Sequence, residues 1–141
     1  MLDKEFISEK FKNIREYLSE TEEILKADDA AIVRDFRLLR TLERNFQLIV
    51  DELVDINMYL IREFELKTAD DFQNTFRILG EAKILPSDLA ERIAPVVGLR
   101  NMLVHRYEKI DKSFFVRQVR NEHSDFIRYL TYISDYVTSN Q

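Results

Sequence analysis

The residues best suited to chemistry fall in one stretch, Gly98-Leu99-Arg100-Asn101-Met102-Leu103-Val104-His105-Arg106-Tyr107. On a helix, at about 100° per residue, Asn101 and His105 share a face four positions apart, and Arg100 and Tyr107 are nearly in line. His105 lies about 140° around from Arg100, an angle that a long guanidinium arm partly bridges, more so if the helix frays near Tyr107. Leu99, Met102 and Leu103 would anchor the same turns in a core.

These side chains suit phosphodiester chemistry. A guanidinium is permanently charged and forks onto phosphate oxygens, so Arg100 can stabilise the negative charge that builds in a transition state. An imidazole titrating near neutrality can take the proton of a ribose 2′-hydroxyl or give one to the leaving oxygen, which is the role expected of His105. Asn101 can support either by orienting the ring or the phosphate. One histidine does not easily serve as base and acid together, and two copies facing each other across a dimer interface would remove that difficulty. The bland alternative is that Arg100 and His105 merely satisfy the last carbonyls of a helix. His123, in a polar stretch with Asn121, Glu122 and Ser124, is read as structural.

A second polar feature is the series Arg34, Arg37, Arg40 and Arg44, which a single helix would gather within about a third of its circumference. Such a stripe could follow an RNA backbone or dock an acidic partner; equally, Glu43 and its neighbours could pair with it at the surface, at about 0–1 kcal/mol each. Arg37, Arg40, Arg44 and Arg106 are the candidate contacts to RNA or a partner. Glu52 and Asp55 lie close to the apolar stripe, from which they either reach the Arg/His site or pair with arginines.

The rest of the chain must hold this segment rigid. In 141 residues Gly and Pro occur twice each, leaving little room for hairpins and favouring long helices with short links. There is no Cys, which excludes disulfides and thiolate metal sites, and two His are too few for a His-rich centre, so no metal or cofactor is expected. A net charge of −5 argues against a general polyanion binder, so any RNA contact must be local or assembled between subunits. No apolar run approaches the ~20 residues of a membrane span, and Met1-Leu2-Asp3-Lys4-Glu5 does not open a secretory signal, so a cytoplasmic protein is expected.

Apolar spacing predicts helices over roughly 3–26, 30–64, 68–82, 88–93, 94–107 and 112–137. Asp28 or Asp29, Thr68 with Asp71, Ser87 and Asp111 are the expected caps. The second helix would bury Ile32, Val33, Phe36, Leu39, Phe46, Ile49, Leu53, Ile56 and Leu60, and the third Phe72, Phe76 and Leu79. At about 1.5 Å per residue the second would span roughly 50 Å, more than the width of a compact domain of this size, under about 40 Å. An elongated, all-α, up-and-down bundle of four to five main helices is expected, one domain over 1–141, that dimerises.

Arg100-Asn101-x-x-x-His105-x-Tyr107 resembles the Arg-x-x-x-x-His-x-Tyr signature of HepT-type toxins of the HEPN superfamily. Leu42-Glu43-Arg44-Asn45-Phe46-Gln47-Leu48-Ile49-Val50-Asp51-Glu52 is similar to that family's long second helix. Thr68-Ala69-Asp70-Asp71-Phe72, Ile84-Leu85-Pro86, Val97-Gly98-Leu99 and Tyr107-Glu108-Lys109-Ile110-Asp111 follow its order, so the likeness covers nearly the whole chain. Arg106, between the His and the Tyr, departs from the pattern by adding a positive charge.

The resemblance implies a dimer with both signatures facing an interfacial cleft, and metal-independent RNA cleavage by Arg100 and His105 with Asn101 in support. It also implies a type VII toxin–antitoxin pair, in which a minimal nucleotidyltransferase of the MntA type silences the toxin by moving AMP from ATP onto Tyr107. The phosphate so added would set negative charge against Arg100. A non-catalytic nucleotide- or RNA-binding subunit of such a nucleotidyltransferase is the alternative, and a plain helical scaffold the third.

Overall fold

Asp3 opens the first helix. Its carboxylate accepts the Phe6 N–H at 3.0 Å, and the chain runs helical over Lys4–Ile24 (α1), burying Ile7, Phe11, Ile14 and Leu18, with Phe6 and Leu25 at the edge of the core. The computed structural model describes residues 2–140; Met1 and Gln141, the ends of the expected 1–141 domain, lie outside the described residues. Asp28 caps Asp29–Arg34 (α2) through the Ala31 N–H at 2.8 Å.

The long second helix does not form as one piece. Asp35 takes extended backbone (φ −102°, ψ 102°) and its carboxylate accepts the N–H groups of Arg37 and Leu38, starting a new helix over Phe36–Glu63 (α3). The break divides the expected 30–64 helix and relieves its length, since 28 residues span about 42 Å. Arg34 is left on α2, apart from Arg37, Arg40 and Arg44. Phe36, placed inward by periodicity, is 67% exposed at the new terminus.

Asp71, rather than Thr68, caps Phe72–Glu81 (α4) by accepting the Asn74 N–H, and Phe72 in its first turn is 57% exposed instead of buried. Pro86 holds the cap position of Ser87–Ile93 (α5) with no side-chain bond, so Ser87 is its first residue and not its cap. Pro95 similarly precedes Val96–His105 (α6), which stops two residues short of the expected end and passes into a 3₁₀ turn, Tyr107–Lys109. Asp111 caps Lys112–Ser139 (α7), which buries Phe115, Val119, Phe126, Leu130, Ile133 and Val137 as expected. Every regular element among the described residues is a helix, and none is long and apolar enough to cross a membrane.

Three long helices form the body. Asp3 meets Tyr59 while Asn13 meets Glu52, so α1 runs antiparallel to α3. Phe115 packs on Phe46, Tyr129 reaches Leu53 and Asn57, and Tyr136 packs on Phe64, so α7 runs parallel to α3. The shorter α4, α5 and α6 close the remaining side. Gly80 is needed where α4 meets α5, because a Cβ there would lie 2.7 Å from Ala90 Cβ. A buried chain of hydrogen bonds locks α4 to the body: the Tyr129 hydroxyl donates to Asn57 Oδ1 (2.6 Å), Asn57 Nδ2 to Thr75 Oγ1 (3.0 Å), and Thr75 to the Phe72 carbonyl.

One part of the α5–α7 contact opposes folding at neutral pH. Burial, then the charge of nearby Asp125, raise the Glu122 carboxyl to about 7 against an ordinary 4.5, with Arg92 partly offsetting both. A raised carboxyl pKa means that the folded state holds a proton the unfolded state has lost, so this stabilisation is complete below pH 4.5 and lost as pH rises through about 7. Glu122→Gln is therefore expected to raise stability at pH 8 by about 1 kcal/mol, allowing for the group's partial exposure. Denaturant titrations at both pH values check this, and at pH 4 the difference should close.

Candidate active site

The site is built where α6 lies along α3. Val96 and Val97 are buried and fix the first turn of α6, which leaves Arg100, Asn101 and His105 on its outer side. With Arg106 they line a cleft of about 1180 Å³ whose opposite wall comes from Val50, Asp51, Val54 and Met58 of α3 and from Phe72. The guanidinium and the imidazole thus share one opening.

Arg100 does not serve as a cap for the helix end. Its Nε donates to Asp51 Oδ1 at 2.8 Å and its Nη1 to Asn101 Oδ1 at 3.3 Å. Asp51 therefore holds the inner edge of the guanidinium, and Asn101 steadies the outer nitrogens that an arriving anion would meet. His105 closes α6 and is exposed to the cleft.

Tyr107 takes a different direction. Once α6 ends, Arg106 adopts φ −141°, and the 3₁₀ turn carries the phenol toward the first half of α3. There its hydroxyl donates to Glu43 Oε2 at 2.8 Å, and Arg40 Nη1 donates to both the phenolic oxygen and Glu43 Oε1. The Arg40 guanidinium lies 5.0 Å from the ring centroid and the Lys112 ammonium 5.4 Å. Burial, followed by the bond to Glu43 and its charge, raise the phenol above its usual range against the opposing pull of Arg40.

The signature is thus divided between two settings. Arg100, Asn101, His105 and Arg106 line the cleft, whereas Tyr107 belongs to an adjoining network with Arg40. A phosphate on Tyr107 would have Arg40 at the phenolic oxygen and Lys112 over the ring. Arg37 stacks on the exposed Phe36 ring at 5.6 Å, and Arg44 is exposed; neither lines the cleft.

Sequence reasoning missed Asp51 as the partner of Arg100 and Glu43 as that of Tyr107, though it named Glu43 as a partner for the arginine stripe, and Glu43 pairs with Arg40. It weighed Glu52 and Asp55 instead, but Lys10 draws Glu52 (3.1 Å) and Asp55 (2.8 Å) toward α1, and Asn13 also holds Glu52. Asp55 still reaches the cleft wall. His123 lies 3.2 Å from Glu22, in keeping with a structural role.

The family model described as "Ribonuclease HepT-like" matches residues 14–133. A protein of Aphanizomenon flos-aquae named tRNA nuclease HepT is 35% identical over 97 residues, 67% of this chain and 65% of that one. The mRNA nuclease HepT of Shewanella oneidensis is 24% identical over 106 residues, covering 75% of this chain and 80% of its own. Among solved structures, a tri-AMPylated Shewanella oneidensis HEPN toxin in complex with an MNT antitoxin superposes with a TM-score of 0.85 at 23% identity, over 96% of this chain and 99% of that chain.

Proposed function

The chain belongs to the HepT-like ribonuclease family, and from that premise we propose that it is a metal-independent endoribonuclease, the toxin of a pair whose second member is a minimal nucleotidyltransferase. One observation carries this reading: Arg100, Asn101 and His105 open onto a single cleft, with the guanidinium braced from behind by Asp51.

Transesterification needs little beyond those groups. The ribose 2′-oxygen attacks the adjoining phosphorus while the bond to the 5′-oxygen breaks. His105 takes the hydroxyl proton or supplies one to the leaving oxygen. The Nη atoms of Arg100 face the non-bridging oxygens as their charge grows. Met58 and Phe72 leave an exposed apolar wall on the same cleft, and a second copy seated there would cover it and bring a second His105, so that base and acid act together.

Silencing follows from covalent attachment. AMP on Tyr107 places an anionic nucleotide two residues from His105, with Arg40 and Lys112 against the ring that carries it, where it competes with RNA for the mouth of the site. The relatives named tRNA and mRNA nucleases, and the AMPylated toxin with its antitoxin, support both halves of the reading.

Expression of the chain alone is expected to arrest bacterial growth within a few generations, while His105→Ala at equal soluble level does not. Co-expression of the cognate nucleotidyltransferase should restore growth and add the mass of AMP to Tyr107. Normal growth with intact RNA in the presence of abundant, unmodified wild-type protein would count decisively against a toxin.

A further inference from the structure

We propose that Glu43 is the general base for nucleotidylation of Tyr107, so that the modified chain itself supplies the group that takes the phenolic proton. The inference rests on the modification reading above and adds a catalytic residue to it.

Glu43 is only 7% exposed, an expensive place for a carboxylate unless its oxygens are engaged. Both are engaged: Oε1 accepts Arg40 Nη1 at 3.1 Å and Oε2 accepts the Tyr107 hydroxyl at 2.8 Å. A carboxylate in direct contact with the nucleophilic hydroxyl, itself oriented by a third group, is the arrangement that activates weak oxygen nucleophiles. The need is real here, because burial and the Glu43 charge keep the phenol protonated well past neutrality. Without a base in contact, very little tyrosinate would be available. Arg40 touches the same oxygen, where a phosphoryl group must arrive, and Lys112 adds a second cation over the ring.

The step balances without any further reactant. Tyr107 Oη attacks the α-phosphorus of ATP, and the Oη–P bond forms as the bond from that phosphorus to the β-phosphate oxygen breaks. Pyrophosphate leaves with the electron pair, and the phenolic proton passes to Glu43 Oε2. Once the phenol has lost its hydrogen, Glu43 no longer receives its bond, and Arg40 is free to turn from the carboxylate to the new phosphodiester.

A purely structural tether would need the hydrogen bond but not the proton transfer, and Glu43→Gln separates the two, since its amide oxygen still accepts. The test follows label uptake at Tyr107 by intact mass and peptide mapping in two arms. One uses the full-length chain with its nucleotidyltransferase and Mg–ATP. The other uses a fluorophosphonate and no partner, where P–F breaks instead and fluoride leaves. Glu43→Gln should slow both by about 100-fold or more, the lower bound for a lost general base. Its residual rate should climb with pH as the phenol ionises, whereas the wild-type rate stays level; the groups at that hydroxyl are Glu43 and Arg40 from α3, with Lys112 at the start of α7 over the ring. Glu43→Asp should recover part of the rate, and thermal melts of all three proteins report on folding. Wild-type uptake by the Gln variant in both arms overturns the assignment. If the wild type takes no AMP from the nucleotidyltransferase yet shows Glu43-dependent labelling by the fluorophosphonate, the modification reading falls and the base survives.

Discussion

His105→Ala is expected to slow cleavage of RNA by about 100- to 10,000-fold, the span a single positioned acid–base group supplies. The loss should appear in single-turnover rates at saturating enzyme, with the affinity for an RNA whose 2′-oxygens are methylated changed little. The separation follows from where the ring sits. His105 is the exposed last residue of α6, packed against nothing that its removal would collapse, and it lines the cleft beside Arg100. Truncation therefore deletes a proton carrier and leaves the phosphate-binding edge in place. Excess chelator should leave the wild-type rate unchanged, since the proposed chemistry uses only protons and a guanidinium. A variant that keeps most of the wild-type rate would remove the imidazole from the mechanism.

Much of the fold could be read from local pattern because its causes are local. Scarce glycine and proline left helices as the only economical element, and the spacing of Phe46, Ile49, Leu53, Ile56 and Leu60 marked a buried face correctly. The acidic caps Asp28 and Asp111 act within three residues of themselves, which makes them visible without a third dimension. Asp35 escaped because two signals conflict there. The apolar period continues through Val33, Phe36 and Leu39, while the cap competes with it at roughly 1 kcal/mol. Periodicity reported the stronger pattern, yet the cap prevailed, since a break frees α2 to turn against α7, where Arg120 holds Asp29 and the carbonyls of Leu25 and Ala27.

The site divides along the same line. Arg100, Asn101 and His105 lie within two turns of one helix, so their spacing already placed them together. What steers them is distant in sequence: Asp51 is 49 residues from Arg100 and Glu43 is 64 from Tyr107. Helical angles could not choose among Asp51, Glu52 and Asp55, because that choice depends on which helix covers which face of α3. Lys10 of α1 decides it by holding Glu52 and one oxygen of Asp55, which leaves Asp51 as the partner of Arg100 although Asp55 still lines the cleft. Nor could angles foresee that α6 stops at His105, which turns Tyr107 away from the line it would have shared with Arg100.

Arg100→Ala should cost about 100- to 1,000-fold in cleavage, the usual loss when a transition-state donor is removed, and unlike His105→Ala it should also weaken RNA binding and flatten its salt dependence. Unfolding cannot account for a loss of that size. The Arg100 and Asp51 side chains are 24% and 38% exposed, so their pairing contributes about 1 kcal/mol or less to stability, and melting temperatures should hardly move. Arg100→Lys is the sharper comparison. An ammonium keeps the charge but has no Nε to give Asp51 and no planar fork, so charge alone would restore binding and leave most of the rate missing. Asp51→Asn keeps an acceptor for Nε and should retain far more activity than Asp51→Ala. Full activity in Arg100→Lys would mean that position 100 supplies only a field, and that the bracing from α3 has no part in the chemistry.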